Sequence, residues 1–333
     1  MTEKKEKRGN IWNKLFVVVV IIVAALIALL FYMRYKQESI LSIDLPFEAH
    51  VLKESSYTRT EPFAHDLART DGSIVLDGVE LDASVEKSIL VDCDTNTAKF
   101  AQGIYDKAYP ASLTKLMTAI LALEYDHMDD VVVMTEEDFA LEEGSQVSGL
   151  SPGDRLTMRD LFNTLVIYSA NDAAMAIART VDGSVSKFVD HMNEKALSLG
   201  MIQSQFTNPS GLHNPDNYTC AYDIYIAMHE ALKYDDFKEA SGMSMYLLNY
   251  TKEDGSAGQL RLDSTDKYLT GEKTPPKDIT LWGGKTGTTD EAGACLCVAF
   301  QNKQGVPHIA VIMNAYNRSV LYDDMNKLLE HSD

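Results

Sequence analysis

The sequence lacks several features that would mark familiar protein classes. Only four cysteines occur in 333 residues: Cys93, Cys220, Cys295 and Cys297. That is too few for the disulfide framework of a small secreted scaffold, and no Cys/His cluster offers a metal site. Cys295 and Cys297 would share one face of a strand, where their sulfurs are poorly placed to bridge. All four are read as small core residues, with a redox or disulfide role for a pair as the alternative. Positive charge is also scarce: 30 Lys and Arg stand against 49 Asp and Glu, a net charge of −19. No Lys/Arg-rich patch exists outside the extreme N-terminus, which excludes nucleic acid as a partner. Repeats and low-complexity tracts are absent. With 45% hydrophobic and 24% charged residues, the composition is that of ordinary globular material.

One long apolar run is present. Leu15 to Met33 carries no charge and follows Lys4, Lys5, Lys7, Arg8 and Lys14. As a helix at about 1.5 Å per residue it would extend about 28 Å, close to the thickness of a bilayer core. A cleaved signal peptide has a shorter apolar region and then a small-residue cleavage site. This run instead continues to Tyr32 and stops at Arg34, so an uncleaved anchor is the expectation and a cleaved signal the alternative. The basic flank places the N-terminus in the cytoplasm and the rest of the chain outside. The expected organisation is a basic tail over 1–14, a transmembrane anchor over 15–33, a stalk over 34–76 and a catalytic domain over 77–333. The last segment is long enough to bury a sizeable core.

From about Gly78 the pattern becomes globular. Ser88 to Cys93 reads as a strand, Asp94-Thr95-Asn96 as a turn and Thr97 to Ile104 as its partner. Ser112 to Tyr125 is apolar almost all round and predicts a buried helix. A mostly helical stretch follows, from about Met158 to Tyr234. Ala294 to Phe300 and His308 to Met313 read as strands joined by a turn over Asn302 to Gly305, and Tyr322 to His331 as a closing helix. Strands at both ends with helices between predict an α+β fold: an antiparallel sheet fed from both ends, flanked by helices, with a helical lobe.

Three short motifs carry chemistry. Ser-x-x-Lys occurs four times, at Ser84, Ser112, Ser184 and Ser264. Only Ser112 opens an apolar helix, and Lys115 is the sole charge there before Glu124. An ammonium in such a helix is driven toward its neutral form. Three residues apart, Ser112 and Lys115 share a helix face, so the pair makes an activated nucleophile. The competing interpretation is an N-cap serine and a lysine that snorkels to water. Ser169-Ala170-Asn171 is the single Ser-x-Asn and lies between two apolar helical stretches. There it projects a hydroxyl and an amide into a cleft, or merely caps a helix. Lys285-Thr286-Gly287 is the single Lys-Thr-Gly, inside Gly283 to Thr289 and just before a strand. Glycines on an edge strand admit a ligand backbone, and a lysine with hydroxyls holds a carboxylate; a hairpin turn is the plainer alternative.

Together and in this order, the motifs are those of penicillin-binding proteins and β-lactamases. The chain resembles the low-molecular-weight penicillin-binding proteins, serine-type D-alanyl-D-alanine carboxypeptidases of the peptidase S11 family, over about residues 77 to 330. The similarity extends to ASLTKLMTAI, YSANDAA, LGMIQSQFTNPSGLHNPDNYTCAYDI and KTGTTDEAGACL. It implies a DD-peptidase/β-lactamase-like fold with the active site between sheet and helical lobe. Ser112 would be acylated, Lys115 would accept its proton, and Ser169 would relay a proton to the leaving amine. Asn171 would contact the peptide, while Lys285, Thr286, Gly287 and Thr288 would line the substrate edge. The Ser112 and Thr288 N–H groups would form the oxyanion hole.

The implied substrate is the peptidoglycan stem peptide, with β-lactams as covalent inhibitors and no cofactor or metal. Alternatives are a D,D-endopeptidase, a β-lactamase and an inactive penicillin-binding sensor. Glu194, the local candidate for a deacylating base, sits at a surface position of a helix whose core positions are Phe188, Met192, Ala196 and Leu199. Arg318 is a weaker candidate than Lys285 for the substrate carboxylate. In two respects the chain departs from the family pattern. Many members continue into a C-terminal β-rich domain and an amphipathic helix, whereas here the anchor is at the front. A residue other than glycine often stands where Gly284 precedes Lys285.

Overall fold

The computed structural model describes residues 27–28, 67–70 and 72–333. The basic tail, nearly all of the expected anchor and most of the expected stalk lie outside the described residues. No helix among the described residues is long and apolar enough to cross a membrane. Residues from Ala64 to Asp333 form one compact unit. The end of the expected stalk packs onto that unit: Ala68 is fully buried, and Ile74 exchanges backbone hydrogen bonds with Ala101 at 2.8 and 3.1 Å.

The principal sheet has five antiparallel strands in the order β2-β1-β9-β8-β7. These are β1 (Lys87–Asp92), β2 (Thr97–Gln102), β7 (Thr280–Thr289), β8 (Gly293–Gln301) and β9 (Pro307–Ala315). Both ends of the domain thus feed one sheet, as the sequence predicts, with β1 paired to β9 along its whole length. Period-two alternation sends Ile89, Val91, Cys295, Cys297, Ile309 and Val311 to one face, against the helical lobe. It sends Leu90, Leu296, Val298 and Ile312 to the other, which the closing helix α8 (Arg318–Glu330) covers with Leu321, Met325 and Leu328. Two residues separate β9 from helix α8, and the second, Asn317, caps it, its side chain accepting from the Ser319 and Val320 N–H groups.

The centre of the helical lobe is α1 (Lys115–Tyr125), entered through a single 3-10 turn over Ala111–Thr114. Lys115 to Leu123 are all buried, so this helix is core on every side. Around it lie α2 (Met158–Asn163), α3 (Asn171–Asp182), α4 (Val185–Leu199), α5 (Ala221–Ala231) and α6 (Asp235–Ser241). The helical middle expected over 158–234 is broken by an irregular stretch between α4 and α5. Asparagine side chains hold that stretch: Asn208 accepts from Gly211 N at 2.7 Å, and Asn193 accepts from Phe206 N at 2.8 Å.

A second sheet, β3-β4-β5-β6, was not foreseen from the sequence. It comprises β3 (Val131–Val133), β4 (Arg155–Thr157), β5 (Met245–Thr251) and β6 (Ala257–Asp263). The short helix α7 (Lys267–Thr270) then leads back to the edge strand β7.

Candidate active site

Ser112 sits on the 3-10 turn before α1, held from two sides. Ala111, just before it, takes a left-handed backbone at φ 45°, a strained conformation for a residue with a Cβ. A Cβ at Gly211 would lie 1.9 Å from the Ala111 carbonyl oxygen, so only glycine lets that loop pass. On the other side, a Cβ at Gly287 would lie 2.9 Å from the Pro110 oxygen and 3.0 Å from the Ser112 nitrogen. Strand β7 therefore runs directly against the turn that carries Ser112. Ser112 is half-buried, while Lys115 one turn on is sealed at 1% exposure.

The Lys115 ammonium nitrogen has three neighbours: Ser112 Oγ at 2.9 Å, Asn171 Oδ1 at 2.7 Å and the Ser210 carbonyl at 2.5 Å. Burial drives its pKa well below that of a free lysine, the nearby Lys285 charge adds to the fall, and Asp172 opposes it. Lys115 Nζ donates to all three, which accounts for the three protons of an ammonium. In the neutral amine that burial favours, the two carbonyl oxygens can hold its two protons and leave the lone pair for the Ser112 hydroxyl proton. That is the arrangement of a nucleophile beside its base.

Ser169 follows a π-turn over Thr164–Tyr168 and takes a left-handed backbone at φ 66°. Its backbone N–H closes the π-turn on the Thr164 carbonyl, but its side chain caps no helix: α3 has Ala170 as N-cap, with no side-chain cap bond. Its hydroxyl instead accepts from Lys285 Nζ at 2.8 Å. Asn171 and Asp172 open α3. Asp172 is fully buried and accepts from Ser148 N at 3.0 Å and from Ser148 Oγ. Asn171 N donates to the Gln146 carbonyl at 2.8 Å, and Gln146 Nε2 donates to the Tyr168 carbonyl. The loop over residues 142–150 is thereby strapped to the Ser-x-Asn turn.

Lys285 projects from β7 at 2% exposure, bonded to Ser169 and to the Thr286 carbonyl at 3.2 Å. Burial pushes its pKa down to about 7, against the opposing pull of Asp266. The Thr286 hydroxyl meets that of Thr265 at 2.6 Å. Thr288 is exposed.

A cleft of about 460 Å³ opens beside Ser112, lined also by Asn171, Gly211, His213, Thr288 and Glu291. Ser169, Lys285 and Thr286 are not among its lining residues. Glu142, Glu143 and Asp290 also line the cleft, but no Lys or Arg does. Arg318 is exposed at the start of α8, within electrostatic reach of Glu272, and is not part of the lining. Glu194 is exposed on α4 and is likewise not part of it. The four cysteines are unbridged.

The other Ser-x-x-Lys serines have local uses. Ser184 caps α4 by accepting from Lys187 N, Ser84 donates to Asp82 at 2.7 Å, and Ser264 accepts from Asp266 N. The sequence-predicted residues thus converge: Ser112, Lys115 and Asn171 form one hydrogen-bonded group, Ser169 and Lys285 another, and Gly287 abuts Ser112. Sequence reasoning did not single out the Ser210 carbonyl, Asp172 or the Gln146 loop. The NPSG and YSANDAA stretches contain two of them, but nothing in residue type marks a backbone carbonyl as a ligand.

The Peptidase_S11 family model, described as D-alanyl-D-alanine carboxypeptidase, matches residues 77–317. The chain is 31% identical over 255 residues to the D-alanyl-D-alanine carboxypeptidase DacF of Bacillus subtilis, covering 75% of this chain and 62% of that protein. It is 31% identical over 233 residues to DacC of Escherichia coli, covering 67% of this chain and 55% of the relative. The chain therefore spans only about three fifths of the length of these curated relatives. A D-alanyl-D-alanine endopeptidase of Pseudomonas aeruginosa is 26% identical over 258 residues, covering 75% of this chain and 78% of that protein. Among solved structures, the Streptomyces K15 DD-transpeptidase superposes with a TM-score of 0.70 at 22% identity, over 76% of this chain and 99% of that one. At that identity the likeness speaks for the fold.

Proposed function

The chain belongs to the peptidase S11 family of D-alanyl-D-alanine carboxypeptidases, and from that premise we propose that it removes the terminal D-alanine from peptidoglycan stem pentapeptides through an acyl-enzyme on Ser112. Ser112 Oγ attacks the carbonyl of the penultimate D-alanine and passes its proton to the neutral Lys115 amine. The Ser112 and Thr288 N–H groups receive the developing oxyanion. Ser169, held by Lys285, relays the proton taken up by Lys115 to the departing D-alanine amine, and water then attacks the acyl carbonyl, its proton returning to Ser112 Oγ through Lys115 as the shortened peptide leaves. Asn171 contacts the peptide. The Thr286 and Thr288 hydroxyls and the Lys285 charge serve the terminal carboxylate, and a β-lactam carboxylate takes the same place. The observation that carries this proposal is the Lys115 amine, sealed from water, with two carbonyls on its protons and Ser112 Oγ 2.9 Å away.

A D,D-endopeptidase acting on cross-links would use the same residues, and the Pseudomonas relative supports that second possibility. One assay separates them: purified protein is given a free pentapeptide and a cross-linked muropeptide dimer. Free D-alanine from the pentapeptide marks the carboxypeptidase; cleavage of the dimer alone marks the endopeptidase; neither product refutes both. Glu194, exposed on α4 and outside the cleft lining, does not support the β-lactamase alternative.

For location, we propose a single-pass anchor over residues 15–33 with the catalytic domain outside the cell membrane. The support is the uncharged run after five basic residues. Protease added to wall-stripped cells should degrade the domain; a domain that resists it, or a mature chain beginning after Ala28, refutes the anchor.

A further inference from the structure

His213 lies outside the three motifs, and the proposed mechanism gives it no part. It lines the cleft together with Ser112 and Thr288. The loop that carries it is anchored to the nucleophile turn. Asn208 Oδ1 accepts from Gly211 N at 2.7 Å, and Asn208 Nδ2 donates to the Leu212 carbonyl at 3.0 Å, one residue before His213. The same loop gives its Ser210 carbonyl to Lys115 and lays Gly211 against the Ala111 carbonyl.

The imidazole lies between two segments that the mechanism needs together. On one side its ring stands edge-on to Tyr109, with centroids 4.8 Å apart and planes at 82°. Tyr109 lies three residues before Ser112. The stretch leading there is tied down at Ala108, which exchanges backbone hydrogen bonds with Thr219 at 2.8 and 2.9 Å. On the other side His213 Nδ1 faces Glu291 Oε2 at 3.6 Å. Glu291 lies three residues after Thr288, in the turn that joins β7 to β8. Gly287 packs against Pro110 and Ser112, but Thr288, Asp290 and Glu291 beyond it are exposed.

Stability does not account for the ion pair. Its side chains are 28% and 45% exposed, and such a pair adds little to folding. Position matters more. An oxyanion donor works only close to the developing charge, and a misplacement of about 1 Å can cost about a hundredfold in rate.

We propose that His213 is a positioning residue for the oxyanion hole: bracketed by Tyr109 and Glu291, it holds the stretch that carries the Ser112 N–H and the end of β7 that carries the Thr288 N–H at a fixed separation. The assignment rests on the acyl-enzyme reading of the site.

The test compares His213→Ala, His213→Phe and Glu291→Gln in the full-length chain. Each should melt near wild type, because the pair is partly exposed. Penicillin acylation should fall about ten- to a hundredfold in His213→Ala, which loses both contacts. It should fall only about two- to fivefold in Glu291→Gln, and as much in His213→Phe, which keeps a ring against Tyr109. Combining His213→Phe with Glu291→Gln should add nothing to either single loss, because both remove the same interaction.

The deciding readout is the infrared stretch of the acyl carbonyl in the penicilloyl-enzyme. N–H donors polarise that carbonyl and lower its frequency. His213→Ala should therefore raise and broaden the band, and His213→Phe should restore most of the wild-type position. An unmoved band in His213→Ala overturns the assignment, whatever happens to the rate or the melt. In the free protein, threonine-selective nitrogen-15 labelling follows the Thr288 N–H, assigned by its absence in Thr288→Ser. Its relaxation should report greater mobility in His213→Ala, and unchanged relaxation also overturns the assignment. If wild type is not acylated at all, the proposed function fails while the relaxation arm still decides the role of His213.

Discussion

Two lysines are buried in this domain at 1% and 2% exposure, and their surroundings differ. Lys115 projects from an apolar helix onto two carbonyls and a hydroxyl, and the first charge that acts on it is another lysine. Lys285 projects from an edge strand onto a hydroxyl and a carbonyl of its own strand, and the charge acting on it is a carboxylate. Burial lowers both pKa values, but the neighbours push Lys115 further down and hold Lys285 near about 7. One residue type is thereby shaped into a base and into a cation, 170 positions apart in the sequence. The proposed mechanism needs Lys115 neutral and Lys285 charged, and it therefore predicts a bell-shaped pH profile whose acid limb reports Lys115 and whose alkaline limb reports Lys285.

The largest effect comes from removing what the two lysines serve. Ser112→Ala should abolish covalent penicillin labelling while leaving the thermal melt near wild type; persistent labelling would move the nucleophile elsewhere. Next is Lys115→Arg, which keeps a charge that cannot be given up. Acylation should fall by about 10²–10⁴, and near-normal acylation would reduce Lys115 to a structural role. Lys285 should behave oppositely. Lys285→Ala should cost at least about tenfold, about 1.4 kcal/mol, whereas Lys285→Arg should retain more activity than the alanine variant. If arginine were as damaging as alanine at both sites, the contrast between base and cation would collapse. On the free-acid peptide and its C-terminal amide, wild type should prefer the acid, and Lys285→Ala should lose most of that preference.

The smallest effect concerns the strand that carries Lys285. Gly283 lies at φ 149°, and a Cβ there would meet the Ser241 carbonyl carbon and oxygen at 2.4 Å. Gly283→Ala should destabilise the domain by about 1–3 kcal/mol, read as a lower melting temperature. An unchanged melt would show that β7 and α6 can separate without cost.

Much of this organisation is legible in the sequence where the signal is local. The apolar runs of α1, β8 and β9 announce themselves, and Ser112 with Lys115 is a spacing on one helix face. The second sheet is illegible for a physical reason. Leu248 is the one buried residue of β5 and Leu262 of β6, while β3 and β4 are three residues each, so hydrophobic alternation has little to act on. Ser210 contributes a main-chain carbonyl, which no residue type encodes. Asp266 sits inside Ser264-Thr265-Asp266-Lys267, a stretch that reads as a solvated Ser-x-x-Lys; its burial comes from Tyr322, 56 residues away.

The central claim is that Lys115, as a neutral amine, activates Ser112. Its most direct test is to treat wild type and Lys115→Arg with the same penicillin and locate the adduct by mass spectrometry of the digested protein. The account predicts one adduct, on the Ser112 peptide, in wild type and almost none in the variant on the same timescale. An adduct on Ser84, Ser184 or Ser264, or equal labelling of the Arg variant, would contradict it.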